Sequence, residues 1–468
     1  MRPFAFRGKR VTVMGLGLFG GGASAARFFA ERGAMVTVTD LRPEQQLRPS
    51  LEALRDLNVR YVLGEHRAED FEHTDLVVVN PAAKDDSLFL AKARAAGVRT
   101  EREINLVFKL THNCPKFGVT GSNGKSTTAA LLGRMLQLAD PRALVGGNLG
   151  RSLLCQLDDL TPGTPVVLEL SSFMLEGLRE LRESPHVAVV TNLSPNHLDW
   201  HKTLENYYKA KRTILEHQGP EDIAVLSHDD AELANWGAHT RARVVWTSVR
   251  DEPEGDAAFL DGEKLIVRIG GLEEVVGLTD LLRLPGRHSV CNALMASAAA
   301  LAYGVRAGLI AETLATFTGL PHRLEMVART PRNVVFYDDS IATTPESVIC
   351  ALESLRGPIT LIAGGSDKGI PFEKLGRVVA QRVRRLILLG LTAGRIEEEV
   401  RRAAEVAGRG PEIVRADSLE EATCRAYRGA LAGEIVLLSP ACASFDMFRN
   451  FEERGERFRR MAQALARN

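Results

Sequence analysis

Six cysteines in 468 residues, at positions 114, 155, 291, 350, 424 and 442, leave this chain with no CxxC or metal-finger spacing. That excludes a disulfide framework or a cysteine-held zinc as the basis of the fold, and reduced thiols in a cytoplasm fit best. No run approaches the ~18 consecutive apolar residues of a membrane span, so membrane insertion is not expected. The first ten residues are basic, but a glycine-interrupted strand follows them instead of the apolar core and small-residue cleavage site of a secretory signal. An excess of one charge is also lacking. Lys plus Arg and Asp plus Glu are equal at 59 each, so no global charge argues for nucleic acid or an acidic membrane surface. Low-complexity linkers and short repeats are missing as well. What remains is a soluble globular chain that must bind its partners at local sites.

A chain of this length carries about three domains, and 45% hydrophobic with 25% charged residues is the balance of an ordinary soluble protein. Three αβ blocks follow one another. The first opens with KRVTVMGLGLFGGGASAARFFAERGAMVTVTD: a strand, a glycine turn, a helix and a second strand ending at Asp40. Gly15, Gly17 and Gly20 form a GxGxxG with an acid twenty residues on, the pattern in which glycines turn tightly against a pyrophosphate and the acid takes a ribose hydroxyl. Alone it suggests NAD. This block ends near Leu110. The third starts after FTGLPHR, with VVFYDDS, PITLIAGGSDKG, RRLILLGL and EIVLLSP as strands separated by helical stretches. The spacing predicts an α/β protein with domains over 1–110, 111–318 and 319–468.

The second block opens on VTGSNGKSTT, Val119 to Thr128, where an apolar strand runs through a glycine turn into TTAALLGRMLQL, which has helical spacing. Gly121 and Gly124 let the backbone approach an oxyanion, the helix start favours negative charge, Lys125 adds a point charge, and Ser126 can ligate Mg2+. The match to a Walker A loop is incomplete, because Val119 stands where the first glycine belongs. Two further strand ends carry polar residues: Glu169 in VVLELSSF, and Asn192 with His197 in VAVVTNLSPNHLDW. In a parallel sheet such ends share one edge with the phosphate loop. A carboxylate, an imidazole and Ser126 converging there suit Mg2+ and phosphate oxygens. Taken singly, Glu169 reads equally well as a strand-end charge in water and His197 as a locally packed loop histidine. AAFLDGEKLIVRI reads as a hairpin turning at Asp261–Gly262. Asn292, early in an Ala-rich helix, fits either a cap-proximal role or a nucleotide contact.

TGSNGKST, GGNLG at 146–150, LELSSF, TNLSPNHLDWH, YYKAKRTIL, LPGRHSVCNAL, FTGLPHRLE, DDSIATTPES, AGGSDKG and LLSPACASFDMFRNFEERGERF, in this order, resemble the Mur ligases of peptidoglycan synthesis. The resemblance covers nearly the whole chain and is closest to the glutamate-adding members. It implies a Rossmann-like N-terminal domain that holds a uridine nucleotide and no NAD, a central P-loop ATPase-type domain, and a Rossmann-like C-terminal domain. The implied partners are ATP, UDP-N-acetylmuramoyl-L-alanine and glutamate, bound by a monomer. Gly121, Ser122, Asn123, Gly124, Lys125, Ser126 and Thr127, with Asn292, Arg323 and Asp339, match ATP-binding positions. Ser126, Glu169, His197 and Lys211 match positions serving two Mg2+ ions, Lys211 as a lysine carbamylated by CO2. Leu18, Phe19, Asp40, Arg42 and Asn148 match the uridine-nucleotide site, and Thr343, Lys368, Ser444 and Phe451 the glutamate site. The implied reaction passes through an acyl phosphate, with Lys125, Glu169, His197 and Lys211 at its centre.

In two places the chain departs from that pattern. Ile341 stands where the family usually carries a lysine, and an apolar side chain cannot supply that charge. Ser289 stands where an asparagine is frequent. The sequence leaves open whether the acceptor is D- or L-glutamate.

Overall fold

This structure is a computed structural model and describes residues 6–17, 21–80, 83, 86–149, 152–195, 197–284, 286–367 and 370–467. Among these residues the strands form three mainly parallel sheets, and helices follow most strands, so the chain is α/β throughout. It divides into two compact units, one made of Met1–Leu282 with Arg287–Thr316 and the other of Arg283–Gly286 with Phe317–Asn468.

The first unit holds two sheets. β1 (Arg10–Met14), β2 (Met35–Asp40), β3 (Val59–Leu63), β4 (Leu76–Val79) and β5 (Arg99–Arg102) run parallel in the order β3-β2-β1-β4-β5. The strand order reverses beside β1, the place where open α/β sheets leave a crevice at their carboxyl ends. RVTVM buries its last four residues because a helix covers it: Gly21–Glu31 turns Ala25, Ala26, Phe28 and Phe29 into the core.

The second sheet is built from β6 (Lys116–Thr120), β7 (Leu144–Gly147), β8 (Val166–Glu169), β9 (Val187–Val190), β10 (Ile223–Ser227), β11 (Arg243–Ser248), β12 (Ala257–Asp261), β13 (Lys264–Ile269) and β14 (Leu272–Leu278). Their order is β14-β13-β12-β11-β10-β9-β6-β8-β7. β6 lies between β8 and β9 with all five residues buried, as a strand covered on both faces requires. The helix Lys125–Ala139 follows it and ends at Asp140, directly before Pro141, which cannot continue it. The Ala-rich helix Arg287–Tyr303 packs beside that helix, its small side chains permitting close approach. The expected hairpin at Asp261–Gly262 is present as antiparallel β12 and β13, and β14 extends it by a strand that the sequence pattern did not reveal.

The second unit holds β15 (Glu325–Arg329), β16 (Val335–Asp338), β17 (Ile359–Ala363), β18 (Arg385–Leu388), β19 (Glu412–Arg415) and β20 (Ile435–Leu438), ordered β15-β16-β20-β17-β18-β19. The four strands expected from apolar runs form its centre. β15 and β19 are its edges, with no buried residue and apolar stretches of only two or three residues to announce them. Leu361 and Leu386 pack on one face of this sheet, and Phe336, Val436 and Phe458 on the other.

Candidate active site

β6 feeds directly into the turn Gly121–Gly124, whose glycines have φ of +142° and +81°. A Cβ on Gly121 would lie 1.9 Å from Thr191 Oγ1, and one on Gly124 would lie 2.3 Å from Asn292 Oδ1, so space and backbone both demand glycine. Asn292 is buried and accepts from Thr128 Oγ1 at 3.3 Å, which fixes it beneath the first helical turn. Thr128 N–H donates to Gly124 C=O at 3.0 Å. The preceding amides of Lys125, Ser126 and Thr127 have no carbonyl four residues back within the helix, so this helix start offers amide hydrogens and positive potential to an anion. Ser122 Oγ donates to Ser194 C=O, accepts from Ser194 N–H, both at 2.9 Å, and lies 3.0 Å from the Tyr207 hydroxyl. Lys125 Nζ rests on Ser122 C=O at 2.9 Å.

Glu169 ends β8 in register with Val119 of β6, which sets its carboxylate beside the loop. The residue is 1% exposed. One carboxylate oxygen accepts from Asn148 Nδ2 at 3.0 Å, and the other is buried with no hydrogen-bond partner. A buried carboxylate oxygen in that state is costly unless a cation joins it. Lys211, on the helix Leu204–Arg212, is 2% exposed and lies 4.8 Å from the centre of the Tyr207 ring. Its Nζ donates to Gly121 C=O at 2.8 Å and Thr120 Oγ1 at 3.4 Å. Burial, reinforced by nearby Lys125 and opposed by Glu169, holds its pKa well below the ordinary lysine range. Lys125, Ser126, Glu169 and Lys211 are thus gathered at the carboxyl ends of β6 and β8. His197 is exposed, with φ of +52°, and its ring meets Phe173 edge-on at 5.1 Å.

At the first sheet, Asp40 is buried and uses its carboxylate on the chain itself. One oxygen accepts from Gly17 N–H at 3.0 Å, the other from Arg42 N–H at 2.9 Å. The Arg42 guanidinium lies 3.6 Å away and is half exposed. Leu18 and Phe19 lie outside the described residues. Asn148 is bound to β8 twice, its N–H donating to Glu169 C=O at 2.8 Å.

In the second unit, Asp339 follows β16 and is buried, accepting from Ser439 Oγ at 2.6 Å and Leu324 N–H at 3.2 Å. Burial pushes its carboxyl up to about 7. Arg323 is half-buried, with Nε enclosed and without a hydrogen-bond partner. Thr343, Ser444 and Phe451 come from the loop after β16, the loop after β20 and the start of the helix Phe451–Arg467. Buried Arg454 ties these segments together: it donates from Nε to Ser340 Oγ at 2.9 Å, from Nη2 to Ser340 C=O at 2.8 Å and from Nη1 to Cys442 C=O at 3.1 Å. Ser340 Oγ in turn donates to Phe451 C=O at 2.8 Å. Ile341 is half-buried in the same loop. Lys368 lies outside the described residues.

Residues 119–300 match the Mur ligase middle domain, residues 322–442 the Mur ligase glutamate ligase domain, and residues 9–101 the MurD-like N-terminal domain of Mur ligases. The chain is 45% identical over 466 residues to the UDP-N-acetylmuramoylalanine–D-glutamate ligase of Roseiflexus sp. (strain RS-1), covering 98% of this chain and 99% of that protein. This chain belongs to the Mur ligase family. A second relative of the same name, from Symbiobacterium thermophilum, is 43% identical over 98% of both chains. Among solved Mur ligases, the UDP-N-acetylmuramate-alanine ligase of Thermotoga maritima shares the fold, with a TM-score of 0.62 at 20% identity over 98% of this chain and 100% of that one. MurF from Acinetobacter baumannii does so with a TM-score of 0.58 at 17% identity, over 95% of this chain and 93% of that one.

Several residues that shape the site of this Mur ligase are silent in its sequence. Tyr207 and Thr191 sit in ordinary-looking helix and strand-end positions, yet they hold Ser122 and Asn123 of the loop. Arg454 reads as one more charge in an Arg-rich helix. Only its complete burial separates it from its solvated neighbours, and helical periodicity alone gives weak notice of that.

Proposed function

We infer that this Mur ligase joins D-glutamate to UDP-N-acetylmuramoyl-L-alanine in peptidoglycan precursor synthesis, at the expense of ATP. The observation that carries this is the gathering of Lys125, Ser126, Glu169 and Lys211 around a helix-start anion site, in a chain that aligns end to end with D-glutamate-adding ligases. The alanyl carboxylate attacks the γ-phosphorus, ADP leaves, and an acyl phosphate results. The glutamate amine then attacks the acyl carbon, losing a proton, and inorganic phosphate leaves from the tetrahedral intermediate. The amides of Lys125 to Thr127 and the Lys125 ammonium orient the phosphates and balance their charge through both steps.

The donor set also fits Mg2+. Ser126, the unpartnered oxygen of Glu169, His197 and a carbamylated Lys211 would hold two ions, which supply charge neutralisation at the phosphate oxygens. Carbamylation is favoured by the depressed pKa of Lys211, since its neutral Nζ can attack the carbon of CO2 and release a proton. The carbamate keeps one N–H, so the bond to Gly121 C=O can persist. Asn292, Arg323 and Asp339 are assigned to ATP, the Asp40–Arg42 turn with Leu18, Phe19 and Asn148 to the uridine nucleotide, and Thr343, Lys368, Ser444 and Phe451 to glutamate. We assign these tasks to domains over 1–110, 111–318 and 319–468 of a monomer, and place it in the cytoplasm, where its six free cysteines stay reduced. Phosphate release should require UDP-N-acetylmuramoyl-L-alanine and D-glutamate together. Release supported by L-glutamate alone would transfer the assignment to the other enantiomer, and release with neither amino acid would end the ligase reading.

A further inference from the structure

Three successive carbonyls of the phosphate loop each meet a donor from a side chain. Gly121 C=O receives Lys211 Nζ at 2.8 Å, Ser122 C=O receives Lys125 Nζ at 2.9 Å, and Asn123 C=O receives both Thr191 Oγ1 at 2.6 Å and Asn192 Nδ2 at 3.0 Å. The last contact is reciprocal, because Asn123 N–H donates to Asn192 Oδ1 at 3.0 Å. The Asn192 carboxamide here pairs with the main-chain N–H and C=O of one residue, and so with two successive peptide groups, across 69 positions of sequence. Ser122 N–H also donates to the Asn192 main-chain carbonyl at 2.8 Å. A loop that receives an anion must turn its carbonyl oxygens away, since each carries partial negative charge, and must present N–H groups instead. Lys125 and Lys211 have other tasks in the reaction. Thr191 and Asn192 are assigned no such task, and Thr191 Oγ1 fills the space a side chain at position 121 would need.

We propose that Thr191 and Asn192 are positioning residues for ATP. By clasping the Asn123 main chain they keep its carbonyl oxygen off the phosphates and leave the anion to the amides from Gly124 onward. This rests on the reading of the loop as the ATP site. Its test is calorimetric titration of the full chain with ADP and Mg2+, with steady-state KM values for all three substrates. Asn192→Ala and Thr191→Val should each weaken ADP binding and raise the KM for ATP about tenfold, as loss of one or two hydrogen bonds to a constrained peptide implies. The KM values for the uridine substrate and for glutamate should hold, and Thr191→Ser, which keeps the hydroxyl, should bind like the parent. If the parent binds ADP and both variants bind within about twofold of it, the clasp plays no part in ATP binding and the proposal fails. It fails equally if all three KM values rise together with a fall in Tm, which marks a purely structural role. If Asn192→Ala does not fold, the Thr191→Val and Thr191→Ser pair decides alone. A parent chain that fails to bind ADP would instead overturn the assignment of the loop to ATP.

Discussion

An amine reacts with CO2 only in its neutral form, and Lys211 is biased to that form by the loss of surrounding water and by the charge of Lys125. Nothing in YYKAKR distinguishes this lysine from a solvated helix residue, so the role proposed for it rests on resemblance and on its burial. Lys211→Ala should be inactive and should recover when short carboxylic acids are added, because they restore a carboxylate in a cavity of the right size. Full activity without added acid would reduce Lys211 to a packing residue. Asp339 offers a second single-residue test. Its carboxyl keeps a proton up to about pH 7 when folded, against an ordinary value of 3.8. Between those values the folded chain binds more protons than the unfolded one, so this residue makes stability fall as pH rises from about 4 to about 7. The loss should amount to roughly 2–4 kcal/mol. Asp339→Asn should flatten that part of the curve of unfolding free energy against pH, and an unchanged slope would locate the dependence elsewhere.

The phosphate loop is the element in which sequence and structure agree most closely. An apolar strand, glycines at the turn and an Ala/Leu-rich helix leave few alternatives for how residues 116–139 fold. Gly121→Ala should cost roughly 2–4 kcal/mol in denaturant unfolding and abolish nucleotide binding, because the added methyl meets Thr191 Oγ1 at a backbone angle that L-residues resist. Retained ADP affinity in that variant would show the loop to be more pliable than its packing implies. Other elements were less legible. β15 and β19 are short edge strands with no buried residue, and β14 carries adjacent glutamates, so none shows the buried apolar run by which β6, β8, β17 and β20 announce themselves. Strand-end positions were readable for Glu169, whereas the contacts of Thr191, Tyr207 and Arg454 depend on segments distant in sequence being brought together.

At the scale of the whole molecule, composition alone excluded a disulfide scaffold and a broad charged surface, and among the described residues no helix is long and apolar enough to cross a membrane. The alternation of strands and helices predicted three αβ blocks, and three sheets are present among the described residues. β14 closes one side of the largest of these sheets, with Leu272, Glu273, Glu274 and Val275 exposed along it and Glu273 paired to Arg268 of β13. An uncovered strand edge is a template on which another chain can add its own strand, and charge is what makes that addition unfavourable. Glu273 and Glu274 therefore bear on how crowded a solution this protein tolerates. Replacing both with threonine should leave turnover in dilute solution unchanged, yet light scattering should report self-association as concentration or temperature rises. A double variant that stays monodisperse would mean that the bulge at Val276 of β14, opposite Leu265 and Ile266 of β13, already suffices to keep neighbouring molecules apart.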